Sequence, residues 1–314
     1  MEGRRRRLAA TARPVLALAA ATLVVTTTAA QRTPKLATPV DAVDGLMRAF
    51  RSHRIVVFNE FHDSDAQHAF LRSLIRDPRF TAVVDDLVIE FGNALYQHVV
   101  DRWVQGEDVS EASVQRAWNY TTVGKGAWGR KAIYPNLYRE VRAVNGTLPE
   151  DRQLRILLGD PPIDWERPDL GGFVLKPNGI QAEWPTSDER YNRDFHAVAV
   201  IRKEVLAKNR RALVVYGQNH AMRGGYWNIV GLLEERFKTK VFVVIAPTNH
   251  DLETAQPSIA AWPIPSLALI RGTVLGPLDA GLFLKARTPE NSAERYYDAV
   301  VYLGPSSTLL TAGQ

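Results

Sequence analysis

The chain alternates between short apolar runs that end in polar residues and longer stretches whose apolar positions recur every three or four residues. Ile55 to Phe58, Leu87 to Phe91, Leu154 to Leu158, Ala212 to Tyr216 and Val241 to Ile245 are apolar on both faces, as strands buried in a parallel sheet must be. Between them lie helical patterns. Asp65 to Arg76 places Ala66, Ala69, Phe70, Leu74 and Ile75 on one stripe, and Asp77-Pro78 stops it. Further helices are expected over Asn93 to Gln105, Ser110 to Trp118, Tyr134 to Asn145, Ser187 to Asn209 (capped by Ser187, with Asp188 and Glu189 in its first turn) and Trp227 to Phe237. Leu267 to Ile270 reads as a weaker strand and Tyr297 to Leu303 as a final one. This order of strands and helices predicts an α/β fold, a mainly parallel wound sheet flanked by helices.

The first 30 residues follow another pattern. Arg4 to Arg7 form a cationic start, Val15 to Val25 a short apolar run, and Thr28 to Ala30 a small-residue cleavage site. That layout is a signal peptide, with the protein exported to the periplasm or secreted, and no stable membrane span after cleavage. The expected organisation is signal peptide 1–30, a polar lead-in 31–54 carrying a short helix from Val43 to Arg51, a single α/β domain 55–305 and a tail 306–314. No Gly/Ser or Pro-rich linker divides the domain. The net charge is +5, but the signal carries five arginines and one glutamate, so its removal leaves only about +1. Nucleic acid is therefore not an expected partner. The chain has no cysteine, which excludes disulfides, a lipoprotein anchor, thiolate metal sites and a cysteine nucleophile.

Four of the apolar runs end in chemistry. Glu60 and His62 follow the first, Glu90 ends the second, Gly159-Asp160 the third, and Gly217 to His220 the fourth. In a parallel sheet these ends share one edge, where separate segments meet in a crevice. A carboxylate beside an imidazole fixes its tautomer and raises its basicity, which suits a general base or a metal ligand. Each residue also has a plainer use: Glu60 solvated beside a helix cap, Glu90 in an ion pair with an arginine, His220 capping the next helix. Arg139 and Arg142 share a helix face, and either can clamp a carboxylate or stabilise an oxyanion. Gly124 to Gly129 spells GxGxxG without a preceding buried strand, so a dinucleotide site is not expected. No GxSxG or HExxH occurs, and Asn119 and Asn145 begin glycosylation-type triplets.

Val56 to His68 (VVFNEFHDSDAQH) resembles the first motif of the erythromycin-esterase/ChaN-like superfamily, which includes the Tiki and TraB proteins: an apolar strand, then Gly-Glu-x-His. Val88 to Phe91 resembles its second strand and Tyr138 to Asn145 its arginine-bearing helix. Arg193-Asp194 resembles the pair that opens its long helix, Val214 to His220 its Gly-x-x-His motif, and Tyr297 to Pro305 its closing strand. Asn59 stands where the motif has glycine.

The resemblance implies a hydrolase of an ester, lactone or amide, with Glu60, His62, Glu90, Arg142 and His220 as catalytic residues and a small-molecule substrate. It also implies alternatives by branch: a divalent metal ion on Glu60, His62, Glu90 and His220, as in metal-dependent peptidases, or haem bound without catalysis in iron uptake, with His68, Gln218 and Asn219 among the contacts. A homodimer is compatible with either.

Overall fold

A computed structural model describes residues 34–167, 174–175, 182–183, 193–225, 227–247, 251–278 and 292–304. The expected signal segment, the helix start at Ser187 to Glu189, and the 306–314 tail lie outside the described residues. The strands of the central sheet are β1 (Val40–Asp41), β2 (Ile55–Glu60), β3 (Asp86–Asn93), β4 (Arg155–Asp160), β5 (Ala212–Gly217), β6 (Val241–Ile245), β7 (Ser266–Leu269) and β8 (Ala299–Tyr302). They lie in the order β1-β7-β8-β6-β2-β5-β3-β4. From β8 to β4 all neighbours are parallel, and β7 alone runs against the rest. The eight-stranded, mostly parallel sheet flanked by helices is the α/β architecture expected from the strand patterns.

The double-sided burial of the strands sets this sheet. All six residues of β2, all eight of β3 and all six of β5 are buried. Val56 and Phe58 face one apolar layer, with Leu87, Ile89, Leu213 and Val215; Ile55 and Val57 face the other, with Val88, Val214 and Tyr216. Each buried Val, Ile or Phe contributes about 1.5–3 kcal/mol. A one-residue slip would exchange the two faces, so the register, and with it the height of each strand end, is strongly specified.

Helices α1 (Ala42–Ser52), α2 (Asp65–Arg76), α3 (Gln97–Val104), α4 (Glu111–Asn119) and α5 (Ile133–Asn145) cover the first face. Helix α6 (Arg193–Val200), widening into an i→i+5 turn through Leu206, packs on the other. Ser64 caps α2 by accepting from the Gln67 amide.

Four local readings change. Residues 31–54 are not merely a lead-in: β1 pairs with β7, and α1 buries Leu46 and Phe50 in the first layer. The helix expected from Asn93 begins later, because Asn93 ends β3 and its side chain accepts from the Leu95 amide. The Gly124–Gly129 stretch opens with a small hairpin, Tyr120–Thr121 against Gly124–Lys125. Asn145 is buried and donates to the carbonyls of Val104 and Leu154, which closes it to glycosylation. Among the described residues no helix is long and apolar enough to cross a membrane.

Candidate active site

The chain crosses from β2 to β3 past the position that β5 later fills, so β2, β5 and β3 lie side by side with their C-terminal ends at one edge. A crevice at such a switch point is where open α/β sheets bind ligands. Glu60 ends β2, Glu90 lies in β3, and Gly217 ends β5. Asp160 ends β4.

Glu60 is fully buried. Its Oε2 lies 3.1 Å from His62 Nδ1 and its Oε1 2.9 Å from His68 Nε2. Burial pushes its acidity down, but hydrogen bonds from the two imidazoles overcome this and hold its pKa at about 2. An ionised carboxylate only accepts, so the proton on His62 sits at Nδ1 and its Nε2 presents a lone pair. The His62 side chain is 48% exposed, and its Nε2 lies 4.0 Å from Glu90 Oε2. Burial opposes protonation of His62; the bond to Glu60 and the charge of Glu90 outweigh it and raise the pKa above the usual imidazole value.

Glu90 is held from three sides. Oε2 accepts from the Gly217 amide at 2.8 Å, Oε1 accepts from Arg193 Nη2 at 3.0 Å, and Oε1 lies 3.8 Å from His220 Nε2. Burial raises its pKa, but the charges of Arg193, His220 and His62 take it below the usual carboxylate value. Arg193 also donates through Nε to Asp160 Oδ1 at 2.9 Å. Asp160 in turn accepts from the amide and hydroxyl of Thr122. Burial dominates at Asp160 and leaves its pKa raised. His220 Nδ1 lies 2.6 Å from Asp194 Oδ1, so the second imidazole has its own orienting carboxylate. Burial lowers the His220 pKa, and the Asp194 bond with the Glu90 charge raises it further than burial takes away.

Glu60, His62, Glu90 and His220 thus stand together at this edge, although Glu90 does not end its strand: β3 runs on past it to Asn93, and its register with β4 shifts between Ile89 and Asn93. Arg142 does not join them. Its guanidinium donates to the carbonyls of Trp103, Gly106 and Glu107 and stacks on the Trp103 ring, so it closes the C-terminal end of α3. Arg193 is the arginine at the carboxylates. His68 is fully buried with Nε2 committed to Glu60, which makes it a support for that carboxylate and removes it as an axial ligand. Gln218 and Asn219 open the short helix Gln218–Ala221 that carries His220; Asn219 is exposed. Asn59 does not adopt a left-handed turn. It stays in β2 and donates to the carbonyls of Val244 and Ala221, tying β6 to the residue after His220. Asp160 was expected at this edge without a role, and Arg193 and Asp194 only as a pair opening a helix; the structure brings all three to the carboxylates and imidazoles. Their signal was present in the strand-end aspartate and the Arg-Asp pair.

Glu60, His62 and Glu90 each offer one ligand atom, all within 4.8 Å of one another. The carboxylate oxygens accept few hydrogen bonds each, so lone pairs remain and the donor set suits a divalent cation. His220 is not part of that set.

Gly217 makes room for His62. A Cβ there would stand 2.8 Å from His62 Cε1, 2.9 Å from Nε2 and 3.2 Å from Glu90 Oε2. Gly217→Ala is expected to displace His62 and lower turnover about 10²-fold, because misplacing a reacting group by ~1 Å costs that much. Steady-state kinetics beside a thermal melt checks this; a stability loss with unchanged kcat would contradict it.

No protein-family model and no curated protein sequence matches the chain. Solved structures similar to it include the type III effector HopBA1 (12% identity, TM-score 0.47, covering 86% of this chain and 97% of that one). A Bacillus cereus protein aligns at 12% identity and a TM-score of 0.46, over 86% of this chain and 95% of its own. ChaN of Campylobacter jejuni, described for cofacial haem binding, aligns at 10% identity and a TM-score of 0.39, over 82% and 90%.

Proposed function

We propose that this protein is an exported hydrolase of an ester, lactone or amide. The observation that carries the reading is a pair of carboxylate-oriented imidazoles, Glu60–His62 and Asp194–His220, whose Nε2 atoms flank the two oxygens of Glu90. His62 Nε2 takes a proton from water as that water's oxygen bonds to the substrate carbonyl carbon. Glu90 lies close enough to hold the same water. The carbonyl oxygen becomes anionic, and Arg193 supplies the adjacent positive charge in the role first given to Arg142. His220, whose pKa is raised by the Asp194 bond and the Glu90 charge, passes a proton from Nε2 to the leaving oxygen or nitrogen as its bond to carbon breaks. Solvent then resets both imidazoles.

A divalent cation on Glu60, His62 and Glu90, when bound, would acidify the attacking water. With the cation held through His62 Nε2, that nitrogen would act as a ligand in place of the base, while Glu60 and Glu90 would stay ionised and His220 would still supply the proton for the leaving group.

The haem reading keeps His62 and His220 as its imidazole ligands, since both are partly exposed and His68 is not. One set of measurements separates the readings. The purified protein is assayed on a panel of nitrophenyl esters, lactones and peptide amides, with and without added divalent cations, and titrated with haem. Turnover of one substrate class is expected. A stoichiometric Soret band with no hydrolysis across the panel would replace the hydrolase by a haem carrier.

A further inference from the structure

His62 is followed by backbone that needs external support. Asp63 has φ 69°, one of three non-glycine residues with positive φ among the described residues. Such a conformation costs free energy in an L-residue and persists where its surroundings hold it, often at functional turns. Here the support comes from the start of α5 and the residues before it. The Asp63 amide donates to the Tyr134 hydroxyl at 3.0 Å, and Lys131 Nζ donates to the Asp63 carbonyl at 3.1 Å. Both polar groups of the strained residue are therefore held from one short segment.

Tyr134 is also packed from all sides. It is buried, with ring centroids 4.8 Å from His68, 4.8 Å from Phe91 and 4.9 Å from Trp128. His68 is the second imidazole on Glu60, and Trp128 meets the His62 ring edge-on at 5.0 Å. Burial keeps the phenol neutral, and the nearby charge of Glu60 adds to this, so its proton stays available to the carboxylate side.

We infer that Tyr134 is a positioning residue: its hydroxyl holds the left-handed Asp63 turn and so sets the direction in which His62 presents Nε2. This rests on His62 as the base, and it goes beyond that reading by assigning the base's orientation to a residue some 70 positions away.

Tyr134→Phe removes the hydroxyl and keeps the ring contacts. The expected result is a kcat lowered 10- to 100-fold with KM changed less than two-fold. Asp63→Val, whose branched side chain resists positive φ, should cause a similar loss, and Asp63→Asn, which tolerates it, should leave turnover unchanged. The Tyr134→Phe/Asp63→Val double variant should be no worse than either alone, because both undo one turn.

A second readout is independent of turnover. In the wild type the His62 ring protons carry the ring-current shift of Trp128, and Tyr134→Phe should move those resonances while circular dichroism stays the same. Unmoved His62 resonances with wild-type kcat would reduce Tyr134 to scaffold. Moved resonances with unchanged kcat would instead leave the clamp standing and remove His62 as the base.

Discussion

Replacing His62 by alanine is expected to lower kcat/KM for a substrate found in the ester, lactone and amide panel by about 10²–10⁴-fold, the usual contribution of a positioned base. The fold should survive, since the side chain is half exposed and its partner Glu60 keeps a second hydrogen bond from His68. The thermal midpoint should move little, as it does for most exposed substitutions. The pH dependence supplies a second check. On the proposed reading His62 takes its proton only when Nε2 is unprotonated, and its pKa is raised above 6.5. The wild-type rate should therefore climb with pH through a midpoint above 6.5. The residual activity of His62→Ala should lack that ascending limb. Wild-type turnover in the variant would remove His62 from the chemistry altogether.

Arg193→Met is expected to have the largest effect on stability. The arginine is the shared partner of Glu90 and Asp160, both fully buried, at 3.0 and 2.9 Å. Removing one partner of a buried ion pair leaves an uncompensated charge and costs about 3–5 kcal/mol. The loss should depend on pH. The folded-state pKa of Glu90 is depressed, so its stabilisation is present above the unfolded carboxylate value of 4.5 and fades as pH falls below it. The deficit of Arg193→Met should accordingly be greatest near neutral pH and shrink in acid. Asp160 behaves differently because fewer cations oppose its burial; it takes up its proton more readily, and Asp160→Asn should recover part of the loss in the double variant. Urea unfolding at pH 7 and pH 4.5 measures both effects. Arg193→Lys should not substitute, since one ammonium cannot span two carboxylates as the guanidinium fork does. Equal midpoints for wild type and Arg193→Met at pH 7 would show that the pair contributes nothing net.

The two arginines show where sequence reading succeeds and where it stops. Arg142 and Arg193 carry the same chemistry, and each opens or follows a helical pattern of similar strength. Spacing along α5 places Arg142 on a helix face but says nothing of what that face meets. In the structure it meets the carbonyl end of α3, and unpaired carbonyls at a helix end attract a guanidinium. Arg193 reaches Glu90 across 103 residues of chain, a proximity that no local pattern contains. Asn59 is a similar case. Its departure from glycine was visible, and its use as a tie between β6 and the His220 turn was not.

From the sequence alone came the parallel strands β2 to β6 and the set of residues following them, because burial on both faces leaves an uninterrupted apolar run; β1 and the antiparallel setting of β7 came only with the structure. Glu60, His62, Glu90 and His220 were legible for the same reason: a polar residue closing such a run sits at the sheet edge. Tertiary packing alone decided which cation stands between the carboxylates, which imidazole is buried against Glu60 and which is left half open. Those choices turn on separations of about 3 Å between groups far apart in the chain, and a charge-assisted bond is made or lost within that distance.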